Sequence, residues 1–285
     1  MPSAPLDTCP PRKRRLAAVL VRTPLTRAAR RHERRHPLLR VFNWHSVPPR
    51  FADRFERQLE QLAARYELTP PDRLEQLTAE GPGDRPRAII TLDDGLANHA
   101  EVAAPIIERW DATAILCVPA AFPDVPRDQQ PEWFGTHVYP RPTELHGPDD
   151  VYAASWDQLR ELAARGHRIC SHGMFHTVLS GGTPADVIRR EVEDSRALIE
   201  ERLPGVTANG FCWPAAAAAD AALASETIRR TYDYSLGNDV RPLRGGDEPY
   251  DLPRINLEVS WPDEVVNLQL SGVLDGLYRV RRGLR

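Results

Sequence analysis

The sequence predicts an α/β fold built around a closed or nearly closed parallel barrel. Short apolar segments rich in β-branched residues alternate along the chain with amphipathic segments of helical period. Repeated strand–helix units of this kind place parallel strands in one sheet and cover the sheet with helices. The chain has 285 residues, and a single barrel of about 250 residues would use nearly all of them. We therefore expect a closed or nearly closed (β/α) barrel.

The first half of the chain predicts three strands and the helices between them. An apolar segment over 39–44 predicts a strand that ends just before His45. Apolar residues at helical spacing predict a helix over 51–65. Apolar, partly β-branched runs predict further strands over 88–92 and 113–118, with a helix through Val102, Ile106 and Ile107 between them.

The second half of the chain repeats the pattern. Ser155 and Gln158 are spaced as a capping box and predict the start of a helix. Thr183 as N-cap and Pro184 as first residue predict a long helix that ends at about Leu203. Further strands are expected over 168–171, 210–213, 232–236 and 252–257, followed by a closing helix from about Pro262.

Charge and composition predict how the chain is organised. Residues 1–40 contain 11 Arg and Lys against 2 Asp and Glu, whereas the remainder contains 26 basic and 38 acidic residues. We expect a basic, partly disordered N-terminal arm over 1–38 and the barrel over 39–285. A proline-rich excursion over 120–154 interrupts the alternation. Long loops in compact domains are usually functional or disordered, so we interpret it as a lid or substrate-shaping loop, the alternative being an insertion with no chemical role.

Several classes of protein are disfavoured. No stretch approaches the roughly 20 apolar residues of a membrane span, and the apolar run over 16–21 is shorter than a secretory signal requires. We therefore expect a cytoplasmic location. The acidic barrel portion would repel phosphates except through the basic arm, which disfavours nucleic acid as a partner. The oligomeric state does not follow from the sequence. The cysteines form no CxxC pair and predict buried free thiols: Cys9, Cys117, Cys170 and Cys212.

Two short motifs predict a metal site. Asp93 and Asp94 follow the apolar run over 88–90, and His172 and His176 lie in a polar turn after a predicted strand. Two imidazoles and one carboxylate are a common catalytic set for Zn²⁺ or a related ion, and the second carboxylate remains free as a base. Each motif alone is often structural, since Asp and Gly favour turns. Their joint occurrence at strand ends, the functional face of such a barrel, favours metal-assisted hydrolysis.

These motifs carry a family resemblance. Residues 91–95 (Thr-Leu-Asp-Asp-Gly) resemble the Thr-Phe-Asp-Asp-Gly motif of the polysaccharide deacetylase family, the NodB-homology carbohydrate esterases of family 4. Residues 171–176 are similar to its second motif, Ser-His-Thr-x-x-His, and residues 41–47, 55–59 and 252–255 look like one branch of the family. The resemblance implies a distorted (β/α) barrel of the seven-stranded NodB type, in an enzyme that removes N-acetyl groups, commonly from amino sugars.

The resemblance also implies roles for individual residues. Asp94, His172 and His176 match the metal ligands, and Asp93 matches the general base that activates water. The expected cofactor is one divalent ion, Zn²⁺ first, with Co²⁺, Ni²⁺ or Mn²⁺ also suited to these ligands. Such an ion lowers the pKa of a bound water toward about 7.

The chain departs from the family pattern in two places. In the third motif, Trp213 and Pro214 are followed by residues 215–219, all alanine, instead of tyrosine and glycine. The backbone N–H of Ala215 can still serve an oxyanion, because that role needs no side chain. The altered motif leaves substrate packing open. The Leu-x-His that supplies the acid in many members is absent from residues 250–285.

Other residues are expected to complete the site. His45 directly follows the first strand and is the expected general acid, and Arg254 is expected to orient or tune Asp93. His99 is expected on the helix after the carboxylate pair, without contact to the metal. The remaining candidates are expected to be ordinary surface or loop histidines: His137, His146 and His167.

Three functions remain open from the sequence. The first is a metal-dependent N-deacetylase of an amino sugar, oligomeric or polymeric. The second is an amidohydrolase for a small N-acylated metabolite, which the lack of a convincing export signal favours. The third is a non-catalytic relative that binds carbohydrate, which the altered third motif favours and the retained Asp93 disfavours.

Overall fold

A computed structural model describes residues 7–141, 143–215 and 221–275. The predicted fold class is confirmed, because within these ranges the strands form one curled, wholly parallel sheet with helices packed on it. The strands are β1 (Leu39–Trp44), β2 (Glu67–Leu68), β3 (Arg87–Leu92), β4 (Ala114–Val118), β5 (Arg168–Ser171), β6 (Gly210–Cys212), β7 (Tyr234–Leu236) and β8 (Ile255–Asn256).

The strand order makes the sheet a distorted barrel. Seven strands follow one another as β7-β6-β5-β4-β3-β1-β8, and β2 pairs with β3 beside this path. Ile255 pairs with Phe42 on one edge of the sheet, whereas Leu252 bridges to Leu236 on the other edge. The short segment 252–256 therefore contacts both edges and draws the sheet around.

Alternation along the strands separates the inside of the barrel from its outside. Val41, Ile89 and Ile115 belong to the interior cluster, and their neighbours Phe42 and Ile90 pack outward with the helices. Such alternation follows from the two-residue period of a strand. The cysteines are free and buried, as predicted, and three of them line the interior: Cys117, Cys170 and Cys212.

Helices connect the strands and cover the sheet. The capping box of Ser155 and Gln158 is present at the start of α7, as predicted. Of the helices that the structure describes, none is long and apolar enough to cross a membrane. The helices are α1 (Pro11–Leu20), α2 (Pro24–Arg35), α3 (Ala52–Ala63), α4 (Leu74–Glu80), α5 (Ala104–Glu108), α6 (Gln130–His137), α7 (Trp156–Ala164), α8 (Ala185–Arg189), α9 (Ser195–Arg202), α10 (Ala222–Thr231) and α11 (Asp263–Gln269).

The predicted long helix up to Leu203 differs from the structure in two ways. Its N-cap is Pro184 rather than Thr183, whose hydroxyl instead accepts a hydrogen bond from the N–H of Ser180. A π-helical segment, Arg190–Asp194, separates α8 from α9. The 3.6-residue period of the apolar side chains does not reveal such an extra residue in a turn.

Two predicted strands are shorter in the structure. The strand expected over 232–236 begins at Tyr234, because the N–H of Tyr232 still bonds to the carbonyl of Ile228 and ends α10. The strand expected over 252–257 has regular pairing only at Ile255–Asn256.

The N-terminal helices pack against the barrel. Cys9 and Ala17 belong to the main core, and the Lys13 ammonium lies 3.4 Å from the ring centroid of Trp261. Glu33 of α2 accepts a hydrogen bond from buried Arg40 at 2.7 Å. Among the described residues, therefore, much of the expected basic arm is helical and in contact with the core. The domain boundary at 38/39 stays a prediction.

The 120–154 segment has a small core of its own. Phe122 and Phe134 are buried with Leu96, Val151 and Ala153. The helix α6 supplies Phe134 and therefore anchors the segment beside the carboxyl end of β3. These contacts place the predicted lid against the site described next.

Candidate active site

The two adjacent carboxylates follow β3 in an unusual backbone turn. Asp93 and Asp94 are 2% and 1% exposed. Asp94 has φ 77° and Gly95 has φ 62°, so the chain passes through the left-handed region twice in succession. Glycine suits the second position, because a Cβ there would lie 3.1 Å from the Val118 side chain. Left-handed backbone at a residue other than glycine is costly and concentrates at functional sites.

The three predicted metal ligands converge. The Nε2 atoms of His172 and His176 each lie 3.6 Å from Oδ1 of Asp94. The Nδ1 atom of His172 donates to the Cys212 carbonyl at 2.8 Å, and that of His176 donates to the His137 carbonyl at 3.0 Å. Each backbone bond fixes the ring orientation and leaves Nε2 free to bind a cation.

The electrostatics of Asp94 fit a divalent ion. Its Oδ2 is buried and has no hydrogen-bond partner in the described part of the chain. Burial raises the pKa of Asp94, but the adjoining His172 imidazole and the charges of His45 and His176 outweigh it and lower the pKa to about 2. A buried, ionised carboxylate with an unused oxygen needs a cation nearby. The residues present therefore fit the ion that the sequence motifs predict.

Asp93 is held by different partners. Arg254, itself fully buried, donates from Nη1 to Oδ1 at 2.7 Å, and Asn43 donates to Oδ2 at 3.0 Å. Burial raises the pKa of Asp93, but the charges of Arg254, His172 and His45 outweigh it and hold the pKa well below its ordinary value. The carboxylate therefore stays ionised and fixed in place. Arg254 contacts Asp93 as the sequence suggested.

A second group of three donors lies behind Asp93. Asp93, Cys117 and Cys212 have ligand atoms close enough to share an ion, and the Cys212 sulfur lies 3.5 Å from Oδ1 of Asp93. The Arg254 guanidinium already occupies this carboxylate and would repel a cation. The Asp94 group is therefore the better candidate metal site.

His45 lies beside the carboxylates with a carboxylate partner of its own. Its Nδ1 is 2.9 Å from Oε1 of Glu258, and its side chain is 16% exposed. Burial lowers the pKa of His45, but the charge and hydrogen bond of Glu258 outweigh it and raise the pKa to about 9. His99 lies in a π-helical segment, His99–Ala103, and its Nε2 hydrogen-bonds with the His45 carbonyl. Neither of these supporting contacts could be predicted from the sequence.

Two further histidines are buried. His146 and His167 both lie in loops, as one of the two readings predicted, but they are not surface residues, since they are 5% and 3% exposed. The His146 ring lies 4.4 Å from the ring of Tyr139, and His167 pairs with Glu108 at 2.9 Å. His137 contributes its backbone carbonyl to the site.

Glu191 supports the two-histidine turn and was missed by the sequence analysis. This residue of the π-helical segment is buried and accepts hydrogen bonds from the N–H groups of Met174 and Phe175 and the hydroxyl of Thr177. A single side chain thereby fixes much of the turn between the two imidazoles. Glutamate in a long helix carries no local signal for such a contact.

The third motif is partly described. Trp213 is buried and donates from Nε1 to the hydroxyl of Ser235 at 3.2 Å, which makes it a packing residue. Pro214 is buried, and Ala215 is exposed with φ 59°. Residues 216–219 of the alanine run lie outside the described residues. The oxyanion role of the Ala215 N–H stays a prediction.

Comparison with known families decides the assignment. A family model described as polysaccharide deacetylase matches residues 80–231, which is more than half of the chain. The chain belongs to the polysaccharide deacetylase family. The matched range contains Asp93, Asp94, His172 and His176. His45 and Arg254 lie outside it. The family predicted from the two motifs is therefore confirmed.

Several solved structures share the fold of this chain. IcaB from Ammonifex degensii is 19% identical with a TM-score of 0.62, covering 84% of this chain and 97% of that chain. The deacetylase PplD of Streptococcus pyogenes, in complex with acetate, is 17% identical with a TM-score of 0.61, covering 82% and 97%. The BpsB deacetylase domain from Bordetella bronchiseptica is 18% identical with a TM-score of 0.57, covering 77% and 96%. At such identities the likeness shows the fold, which confirms the NodB-type barrel. No curated protein matches the chain.

The turn between the histidines makes a stability prediction. Gly173 has φ 81°, and a Cβ there would lie 2.5 Å from the Glu191 carboxylate. Gly173→Ala should therefore lower the free energy of unfolding by about 1–3 kcal/mol, measured by urea denaturation. Gly182→Ala is the matched control, because a Cβ there meets nothing within 4 Å. Equal stability of the two variants would contradict the tight packing of this turn.

Proposed function

We propose that this chain is a metal-dependent hydrolase that removes an N-acetyl group from an amino sugar in an oligo- or polysaccharide. The observation that carries the proposal is the convergence of Asp94, His172 and His176 beside Asp93, a carboxylate held separately by Arg254. Family membership supports the same reaction class.

Asp94, His172 and His176 would hold the ion. A divalent ion bound there, Zn²⁺ first and Co²⁺, Ni²⁺ or Mn²⁺ as others that these donors accept, supplies a Lewis acid that lowers the pKa of water and polarises the acyl oxygen. The bonds from the two Nδ1 atoms to backbone carbonyls hold both imidazoles in the orientation that this role requires.

Asp93 would act as the general base. Its pKa lies well below the ordinary value, so the carboxylate is ionised across the neutral range, as the role of a base requires. Arg254 and Asn43 each use one lone pair of its oxygens and prevent rotation. A carboxylate oxygen has a second lone pair, which can take the proton of the attacking water.

His45 would act as the general acid. The Glu258 carboxylate holds its Nδ1 and raises its pKa to about 9, so the imidazole is protonated at neutral pH. As the C–N bond breaks, the departing amine needs one proton, and the imidazolium can supply it. The N–H of Ala215 is the proposed donor to the oxyanion.

The base assignment predicts the outcome of a direct assay. Protein loaded with Zn²⁺ or Co²⁺ should release acetate from N-acetylglucosamine oligomers. Asp93→Asn should lower kcat by at least about 100-fold, because it removes the proton acceptor, while the bound metal content stays unchanged. Asp157→Asn, a change on the exposed face of α7, is the matched control and should retain full activity.

The substrate panel separates the alternatives. Release from small N-acylated compounds alone would replace the polysaccharide with a metabolite as substrate. No release from any compound by protein with stoichiometric metal would overturn the proposed activity in favour of a carbohydrate-binding relative.

The acid assignment predicts a change in pH dependence. Glu258→Gln removes the charge that raises the pKa of His45, so this pKa should fall from about 9 toward its ordinary 6.5. The acid would then lose its proton at lower pH. The alkaline limb of the kcat profile should therefore move down by about one to three pH units.

Glu258→Asp is the matched variant for this measurement. It keeps the negative charge beside His45, so its alkaline limb should lie between those of the wild type and Glu258→Gln. An alkaline limb that stays in place in Glu258→Gln would contradict the pairing of His45 with Glu258 as the source of the acid.

A further inference from the structure

A cavity of about 850 Å³ lies at the opposite end of the barrel from the candidate active site. The active-site residues follow the carboxyl ends of the strands, whereas this cavity adjoins the amino ends of β2 and β3. Its volume is within the range of pockets that bind small molecules. Four arginines contribute to its wall: Arg30, Arg34, Arg65 and Arg85.

The two deeper arginines are incompletely compensated. The Nε of Arg30 is buried and has no hydrogen-bond partner in the described part of the chain. Burial, followed by repulsion from the Arg30 charge, lowers the pKa of Arg65 to about 10. Arg65 donates to the backbone and side-chain oxygens of Asn267, which are neutral acceptors. Among the described residues neither guanidinium forms an ion pair, although the nearby Glu33 charge acts in the opposite direction on the pKa of Arg65.

The first acidic residue of the wall, Glu33, bonds mainly to groups other than the four arginines. Glu33 accepts from Arg40 at 2.7 Å and from the Tyr66 hydroxyl at 3.1 Å. Arg40 also binds Asp275 at 2.7 Å. Glu33 and Asp275 carry two negative charges, and Arg40 neutralises one of them. The charge that is left offsets one of the four guanidinium charges of the wall.

The other acidic residues do not neutralise the remaining charge. Glu67 pairs with Arg87 at 2.9 Å, outside the set of four arginines. Asp84 is exposed and can offset one further charge. The wall therefore keeps a net positive charge around a space large enough for a polyatomic anion.

We propose that this cavity binds a phosphate-bearing anion, with Arg30 and Arg65 as its main contacts and the exposed Arg34 and Arg85 at the rim. Guanidinium forks match the spacing of phosphate oxygens and form charge-assisted hydrogen bonds with them. The phosphate can belong to a soluble molecule or to a lipid headgroup. The site is separate from the proposed deacetylase chemistry and does not depend on it.

Titration calorimetry of the full chain tests the site with two probes at constant ionic strength. Inorganic pyrophosphate represents the soluble source, and phosphatidylglycerol vesicles, compared with phosphatidylcholine vesicles, represent the headgroup. Saturable binding of either probe is expected, and the probe that binds identifies the source. Arg30→Gln and Arg65→Gln should each weaken binding at least about tenfold.

Control variants keep the result interpretable. Arg109→Gln removes an equal charge from an exposed residue paired with Glu56 and should bind as the wild type does. Arg65→Lys keeps the charge without the planar fork; it should fold and still bind more weakly. Absence of saturable binding of both probes by the wild type would overturn the proposal, as would equal weakening in Arg109→Gln.

Discussion

The buried ion pair between Arg254 and Asp93 is the constraint on which the site depends. Two adjacent carboxylates, both nearly inaccessible to solvent, would repel each other and take up protons if no cations stood beside them. Arg254 compensates Asp93 at 2.7 Å and leaves Asp94 to the two imidazoles. The backbone at Asp94 is left-handed, and the side chains of Asp93 and Asp94 have different partners. Adjacent residues of one type thereby acquire different chemical environments.

The barrel explains why these partners meet. Parallel strands end at the same face, so His45 after β1, the carboxylates after β3 and His172 after β5 come together although they are far apart in sequence. Arg254 arrives on the segment that contacts both edges of the sheet. Closure of the sheet and compensation of Asp93 are therefore achieved by the same short stretch of chain.

The sequence predicted the strands that carry the site, because their apolar runs are local and end at polar motifs. It also predicted the contact of Arg254 with Asp93, through a resemblance rather than through spacing. The supports of the site were not predictable in this way. Glu258 reaches His45 across 213 residues, and Glu191 reaches the histidine turn from a π-helical segment that apolar periodicity does not reveal. The burial of His146 depends on the folded 120–154 segment, in which apolar residues follow neither a helical nor a strand period.

The most direct test of the account is the position of a bound metal. Anomalous diffraction from crystals soaked in Zn²⁺ would show which of the two donor groups found among the described residues holds the ion. The account predicts one ion about 2.0–2.2 Å from Nε2 of His172, Nε2 of His176 and a carboxylate oxygen of Asp94, with Asp93 still bound to Arg254. An ion held by Asp93, Cys117 and Cys212, or no ordered ion at saturating Zn²⁺, would contradict it.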